Sequence, residues 1–171
     1  DQKLADRVAY IHESIGSPAL VEEFIEGREL YQAVLGNERL ETFPLWELRW
    51  KNLPEGAPNI ATSRLKWDLD YQERVGLVSE RAEGLDDALV ARIARTCKRA
   101  SRALEQSGYA RFDLRLTDAA RVYIIESNPN PEIAWDSEFP SAAKAAGYDY
   151  PALLRRILSL GLRWTASLHH R

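Results

Sequence analysis

The chain has 171 residues, a length that fits one domain, and its 45% hydrophobic content is enough to build a core. Twenty-three Lys and Arg against 26 Asp and Glu give a net charge of −3, which leaves no cationic excess for a nucleic-acid backbone or an anionic membrane. No apolar run nears the roughly 20 residues of a membrane span, and the first residues lack a signal-peptide layout, so the expectation is a soluble, cytoplasmic protein.

Between Gln2 and Ile15 the residues Leu4, Val8, Ile11 and Ile15 recur at helical spacing, and Gly16-Ser17-Pro18 stops the run, which predicts an opening amphipathic helix. Ala19 to Phe24 reads as a short strand, Glu26-Gly27 as a turn, Glu29 to Leu35 as a second strand, Gly36-Asn37 as a turn, and the run from Arg39 as a third strand. Together they predict a three-stranded antiparallel meander. From Lys51 to Ser63, Pro54, Gly56 and Pro58 break all periodicity and predict a long loop. Tyr71 to Gly84 is dominated by charge and leaves helix and strand both open. Leu85, Leu89, Ile93, Cys97, Ala100 and Leu104 trace one helical face, with Asp86 and Asp87 in the first turn and Ser107-Gly108 closing the helix. Cys97, the single cysteine, excludes an internal disulfide, makes no zinc quartet with three histidines, and lies on that apolar stripe as a core residue. Tyr109 to Thr117 and Arg121 to Ser127 alternate as strands around Asp118, Ala119 and Ala120. A short helix near Ser137 to Ala146 and a last one from Tyr150, with Pro151 in its first turn, complete the chain. The fold class expected is α+β, an antiparallel sheet with helices packed on one side.

The hairpin from Tyr109 to Asn130 holds the candidate chemistry. If Asp118 pairs with Arg121, antiparallel register sets Asp113 opposite Glu126 and Arg111 opposite Asn128, all on one face. The other face then shows Phe112, Leu114, Leu116, Tyr123 and Ile125, a core pattern. Two opposed carboxylates repel, so a positive partner is expected. With the amide oxygen of Asn128 they offer oxygen ligands only, which favours Mg²⁺ or Mn²⁺, and Arg111 would stand beside the cation to neutralise a transferring phosphoryl or acyl group. The plainer alternative pairs Asp113 with Arg111 or Arg115 on a solvated face.

Five segments in order resemble a known family: Val21-Glu22-Glu23-Phe24-Ile25-Glu26-Gly27-Arg28-Glu29, Lys66 after the long loop, Gly108-Tyr109-Ala110-Arg111-Phe112-Asp113, Ile125-Glu126-Ser127-Asn128-Pro129, and Ala145-Ala146-Gly147. Together they are similar to the C-terminal part of the D-alanine–D-alanine ligase branch of the ATP-grasp superfamily. The resemblance implies that Glu22 and the backbone at Glu23, Phe24 and Ile25 hold adenine, that Glu29 takes the ribose hydroxyls, and that Lys66 reaches the γ-phosphate. It further implies that Asp113, Glu126 and Asn128 bind magnesium, that Arg111 serves the acyl phosphate and tetrahedral intermediate, and that Ser137 contacts the acceptor's carboxylate. One departure is Glu132, which stands where the family has a glycine at its oxyanion and puts a D-alanyl substrate in doubt.

The resemblance begins beyond an upstream lobe, so residues 1–16 are expected to be that lobe's last helix and 17–171 the C-terminal subdomain. With no methionine, and Asp1 at the first position, the chain is expected to be a fragment that alone binds ATP poorly. The activity implied is an ATP- and magnesium-dependent carboxylate–amine ligase acting on small molecules, with no nucleic-acid or membrane partner and with room for a homodimer. The rivals are the same chemistry on another substrate and a non-catalytic remnant serving in interaction.

Overall fold

The computed structural model describes residues 1–52 and 68–164. Six strands form one sheet: β1 Arg28–Leu35, β2 Glu41–Thr42, β3 Trp46–Trp50, β4 Leu77–Arg81, β5 Tyr109–Leu116 and β6 Val122–Asn128. Their order is β4-β3-β1-β5-β6, with β2 also on β1, and every pairing is antiparallel. The helices are α1 Gln2–Tyr10, which continues as a wide π-type turn Ile11–Ile15, then α2 Leu69–Val75, α3 Asp87–Ala103, α4 Glu138–Ala145 and α5 Tyr150–Leu162.

The sheet carries helices on both faces rather than one. Alternation along β1 and β5 sends Leu30, Val34, Ala110, Phe112, Leu114 and Leu116 to the face that α3 covers with Ile93 and Cys97. Asp86 caps α3 by accepting from the Leu89 N–H at 2.7 Å. On the opposite face Ala33 and Leu35 pack with Phe43 against Phe139, Ala142, Ala143, Leu153 and Leu160 of α4 and α5. These two helices cover only one end of that face. The part left open lies over Glu29, Tyr31, Asp113 and Arg115, because helix packing needs apolar partners and these side chains are polar.

One expected strand is absent, and two other segments take a form that the pattern left open. Ala19 to Phe24 forms no strand. Both edges of β1 are already taken, by β2 and β3 on one side and β5 on the other, and the alternating apolar run of β5 buries far more surface than Val21-Glu22-Glu23 could. The charged stretch Tyr71 to Gly84 resolves into the end of α2 and β4, an edge strand whose outer side chains are polar. The opening helix exists, but its apolar side finds no core: Leu4 is 45% and Ile15 62% exposed. The loop expected from Lys51 to Ser63 lies mostly outside the described residues. Among the described residues no helix is long and apolar enough to cross a membrane.

Candidate functional site

The β5–β6 hairpin sets the site. Thr117, not Asp118, pairs with Arg121, through the Thr117 N–H donating to the Arg121 carbonyl at 3.0 Å. Asp118, Ala119 and Ala120 form a three-residue loop, and Ala120 takes the left-handed conformation (φ 55°) such loops require. That offset is cancelled farther along by a bulge: Leu114 faces Ile124 while Asp113 faces Glu126, so Ile125 is the extra residue. Beyond it Asp113 opposes Glu126 and Arg111 opposes Asn128, as expected. The offset between turn and bulge also changes the other face. Phe112, Leu114 and Leu116 are core, but Tyr123 pairs with Arg115 and Ile125 is 57% exposed, so neither is a core residue.

Arg111 forms a bidentate pair with Asp113, Nε to Oδ1 at 2.7 Å and NH2 to Oδ2 at 2.9 Å. Its guanidinium lies 4.4 Å from the centre of the Tyr31 ring, and NH1 is 3.7 Å from Glu138 Oε2. Burial works against the Arg111 charge, but the hydrogen bonds and charge of Asp113, with Glu138 beyond, raise its pKa above the ordinary value. The Arg111 partner anticipated for Asp113 is therefore present. Arg115 goes elsewhere, to Glu29 Oε2 at 2.7 Å and the Gly27 carbonyl at 3.0 Å. The Tyr31 hydroxyl donates to Glu29 Oε1 at 3.1 Å. Burial first, then the charges of Glu29 and Asp113, push the Tyr31 hydroxyl far up, so it stays a donor.

Glu23, Phe24, Ile25 and Glu29 join Tyr31, Arg111, Asp113, Ile125 and Glu126 in lining one cleft of about 230 Å³. The same four residues also border a larger cleft of about 760 Å³ that reaches Arg49, Trp50 and Tyr123. Gly27 lets this segment pass the end of β5. Its φ is 146°, and a Cβ there would come within 2.2 Å of the Leu116 carbonyl oxygen. Glu22 is exposed and is not among the lining residues of either cleft.

Asn128 stands beside Arg111 on the neighbouring strand, and its Oδ1 accepts from the Asn130 N–H at 2.9 Å, which fixes the amide with a second lone pair to spare. Ser137, just before α4, shares its one O–H between the carbonyls of Ala134 (2.9 Å) and Glu132 (3.0 Å), while the Glu132 side chain is exposed. Lys66 lies outside the described residues. No group of three or more His, Cys, Asp or Glu able to hold a metal gathers among the described residues; the set at the hairpin is two carboxylates and an amide.

Tyr31, Arg115 as the partner of Glu29, and Glu138 were not anticipated. For the first two a signal existed, since each stands two residues from an expected site residue on the same strand and so shares its face. Glu138 comes from α4, and no local pattern connects it to Arg111.

The sequence matches the family described as D-ala D-ala ligase C-terminus over residues 3–159. A D-alanine–D-alanine ligase of Desulfotalea psychrophila is 31% identical over 163 residues, 95% of this chain and 48% of that protein. An uncharacterized protein of Sinorhizobium fredii, y4sG, is 30% identical over 94% of this chain and 46% of its own length. The chain thus spans about half the length of these curated relatives. Among solved structures, the D-alanine–D-alanine ligase of Bacillus anthracis complexed with ATP superposes with a TM-score of 0.71 at 23% identity, over 95% of this chain and 47% of that one. The VanG D-Ala:D-Ser ligase of Enterococcus faecalis gives 0.69 at 23% identity, over 94% and 43%. The open antiparallel sheet is thus an ATP-grasp architecture, and the chain belongs to the D-alanine–D-alanine ligase C-terminal family.

Proposed function

We propose that this chain supplies the nucleotide- and metal-binding half of an ATP-dependent, cytoplasmic carboxylate–amine ligase. The observation that carries the reading is the shared cleft: the adenine segment Glu23–Phe24–Ile25, the ribose acid Glu29 and the hairpin set Arg111, Asp113 and Glu126 line one space. In the reaction a carboxylate oxygen takes the γ-phosphoryl of ATP and ADP leaves. An amine nitrogen then attacks the acyl carbon, the carbon–oxygen bond to phosphate breaks with its electron pair going to phosphate, and the nitrogen gives up a proton.

Each residue's task follows from its surroundings. The backbone at Glu23, Phe24 and Ile25 is free of any ladder and offers N–H and C=O groups to an adenine edge, with Glu22 at its start. Glu29, held by Arg115 and Tyr31, is oriented in advance to accept the ribose hydroxyls. Asp113, Glu126 and Asn128 present oxygen donors alone, a set that fits a hard divalent cation such as Mg²⁺ or Mn²⁺. That cation would screen the phosphate charges. Arg111 stabilises charge developing on the transferring group, Lys66 serves the γ-phosphate, and Ser137 lies at the acceptor end.

The upstream lobe belongs to the same proposal. The exposed apolar side of α1 supports its packing on a neighbouring lobe, which the relatives' greater length can supply. The substrates are a small carboxylate and a small amine, and a homodimer is compatible with this reading. Glu132 supports an acceptor other than D-alanine, since it puts a side chain and a negative charge beside a backbone N–H that a glycine would leave bare.

The test is a titration of Mg²⁺ or Mn²⁺ with ATP into the full-length protein and its Asp113→Asn and Glu126→Gln variants. The parent should bind the metal–nucleotide pair and release phosphate only when carboxylate and amine are both present. Each variant should lose about 10²–10³-fold in turnover. Variants that bind and turn over like the parent overturn the site.

A further inference from the structure

Arg111 sits in a place that the proposed cation also needs. Its fork covers both oxygens of Asp113. A carboxylate so engaged keeps only its remaining lone pairs for a divalent ion, and the ion and guanidinium would repel across one side chain. Arg111 cannot yield by losing its proton, because a guanidinium stays charged in proteins. Moving off Asp113 relieves that repulsion, and the surroundings determine where it goes.

Glu138 is already 3.7 Å from Arg111 NH1, on the side away from Nε, which Asp113 holds at 2.7 Å. Side-chain exposures of 19% for Arg111 and 28% for Glu138 keep the pair partly out of water. The Tyr31 ring beneath the guanidinium, at 4.4 Å, is a flat surface over which a planar cation can slide without losing its stacking. Glu138 itself is fixed in place: it opens α4, the next two residues Phe139 and Pro140 are buried, and its Oε1 lies 3.4 Å from the Ser79 hydroxyl of β4.

We propose that Glu138 is a positioning residue, the second seat of Arg111: a cation that takes Asp113 hands the guanidinium across the Tyr31 ring to Glu138. The inference rests on the metal site proposed above. Loading of the cation and placement of the arginine are then one event. Before loading, Arg111 neutralises Asp113; afterwards it is held by Glu138, beside the cleft that Arg111 lines, where an acyl phosphate would form.

A double-mutant cycle tests this, with Mn²⁺ binding in the presence of ATP followed by electron paramagnetic resonance in the full-length protein. Arg111→Gln removes the competitor and should tighten Mn²⁺. Glu138→Gln should weaken it by about threefold to tenfold, because the displaced arginine loses its seat. Glu138→Asp should recover part of that loss. The decisive sample is the double variant, which should bind Mn²⁺ like Arg111→Gln alone. A Glu138→Gln effect that persists undiminished without Arg111, or no effect of Glu138→Gln at all, overturns the proposal while leaving the metal site intact. If Asp113→Asn binds Mn²⁺ as well as the parent, the metal site itself falls and this inference with it.

Discussion

Strand β5 turns two unlike faces outward. Ala110, Phe112, Leu114 and Leu116 close against α3 with no more than 5% exposure, while Arg111, Asp113 and Arg115 form a row of charges on the opposite side. The first face is held by area, which is non-directional and tolerates small shifts. The second is held by oriented pairs, Arg115 with Glu29 across the strands and Arg111 with Asp113 along one strand. The two pairs differ as well. Side-chain exposures of 6% and 11% seal Arg115 and Glu29, and Arg115 has the Gly27 carbonyl as a further acceptor, whereas 19% and 17% leave Arg111 and Asp113 reachable. One pair is suited to holding the sheet and Glu29 in place, the other to being opened.

The largest expected effect comes from breaking the closed face. Phe112 is 0% exposed at the centre of the first cluster, so Phe112→Ala should cost about 3–5 kcal/mol by urea unfolding, lost contacts and a residual cavity together. A loss below about 1 kcal/mol would mean that α3 collapses onto the gap and that the face is less tightly built than described. Next comes the sealed pair. Arg115→Met keeps volume but leaves Glu29 charged and buried, and should cost about 3 kcal/mol of stability. Because Glu29 then loses its orientation, KM for ATP should rise in the same variant. The reachable pair sets the contrast: Asp113→Asn should cost only about 1 kcal/mol of stability, since Arg111 retains Glu138 and the Tyr31 ring. Equal costs for Arg115→Met and Asp113→Asn would erase the distinction between a structural and an exchangeable ion pair.

These faces were unequally legible in the sequence. The apolar face of β5 and the stripe of α3 follow from periods of 2 and 3.6, and both appear where the pattern puts them. The opposition of Asp113 to Glu126 was also legible, but through two departures that cancel. A simple turn closed by Asp118 and Arg121 gives that pairing, and so does the actual Thr117–Arg121 closure followed by a bulge at Ile125. Residues between turn and bulge, such as Tyr123, reveal the difference, because a one-residue slip sends each side chain to the other face. The strand expected at Ala19 to Phe24 failed for a non-local reason, since local sequence does not say that both edges of β1 are already occupied. Glu138 was hidden in the same way: the contact joins residues 27 positions apart and depends on α4 closing one end of the sheet.

The smallest effect tests how dry the closed face is. Burial pushes the Cys97 thiol from its ordinary 9.0 up to about 12. Below pH 9 folded and unfolded chains both keep this proton, and the group adds no pH dependence. Between pH 9 and 12 only the unfolded chain releases it, so the stabilisation present below pH 9 is lost as pH rises toward the folded value. Cys97→Ala has no such proton to hold. Its stability relative to the parent, measured by urea unfolding at pH 8, 9 and 10, should therefore improve by about 1 kcal/mol over that range. Parallel curves would mean that water reaches the thiol from the α3 side, and that the area-held face is looser than the charged one it backs.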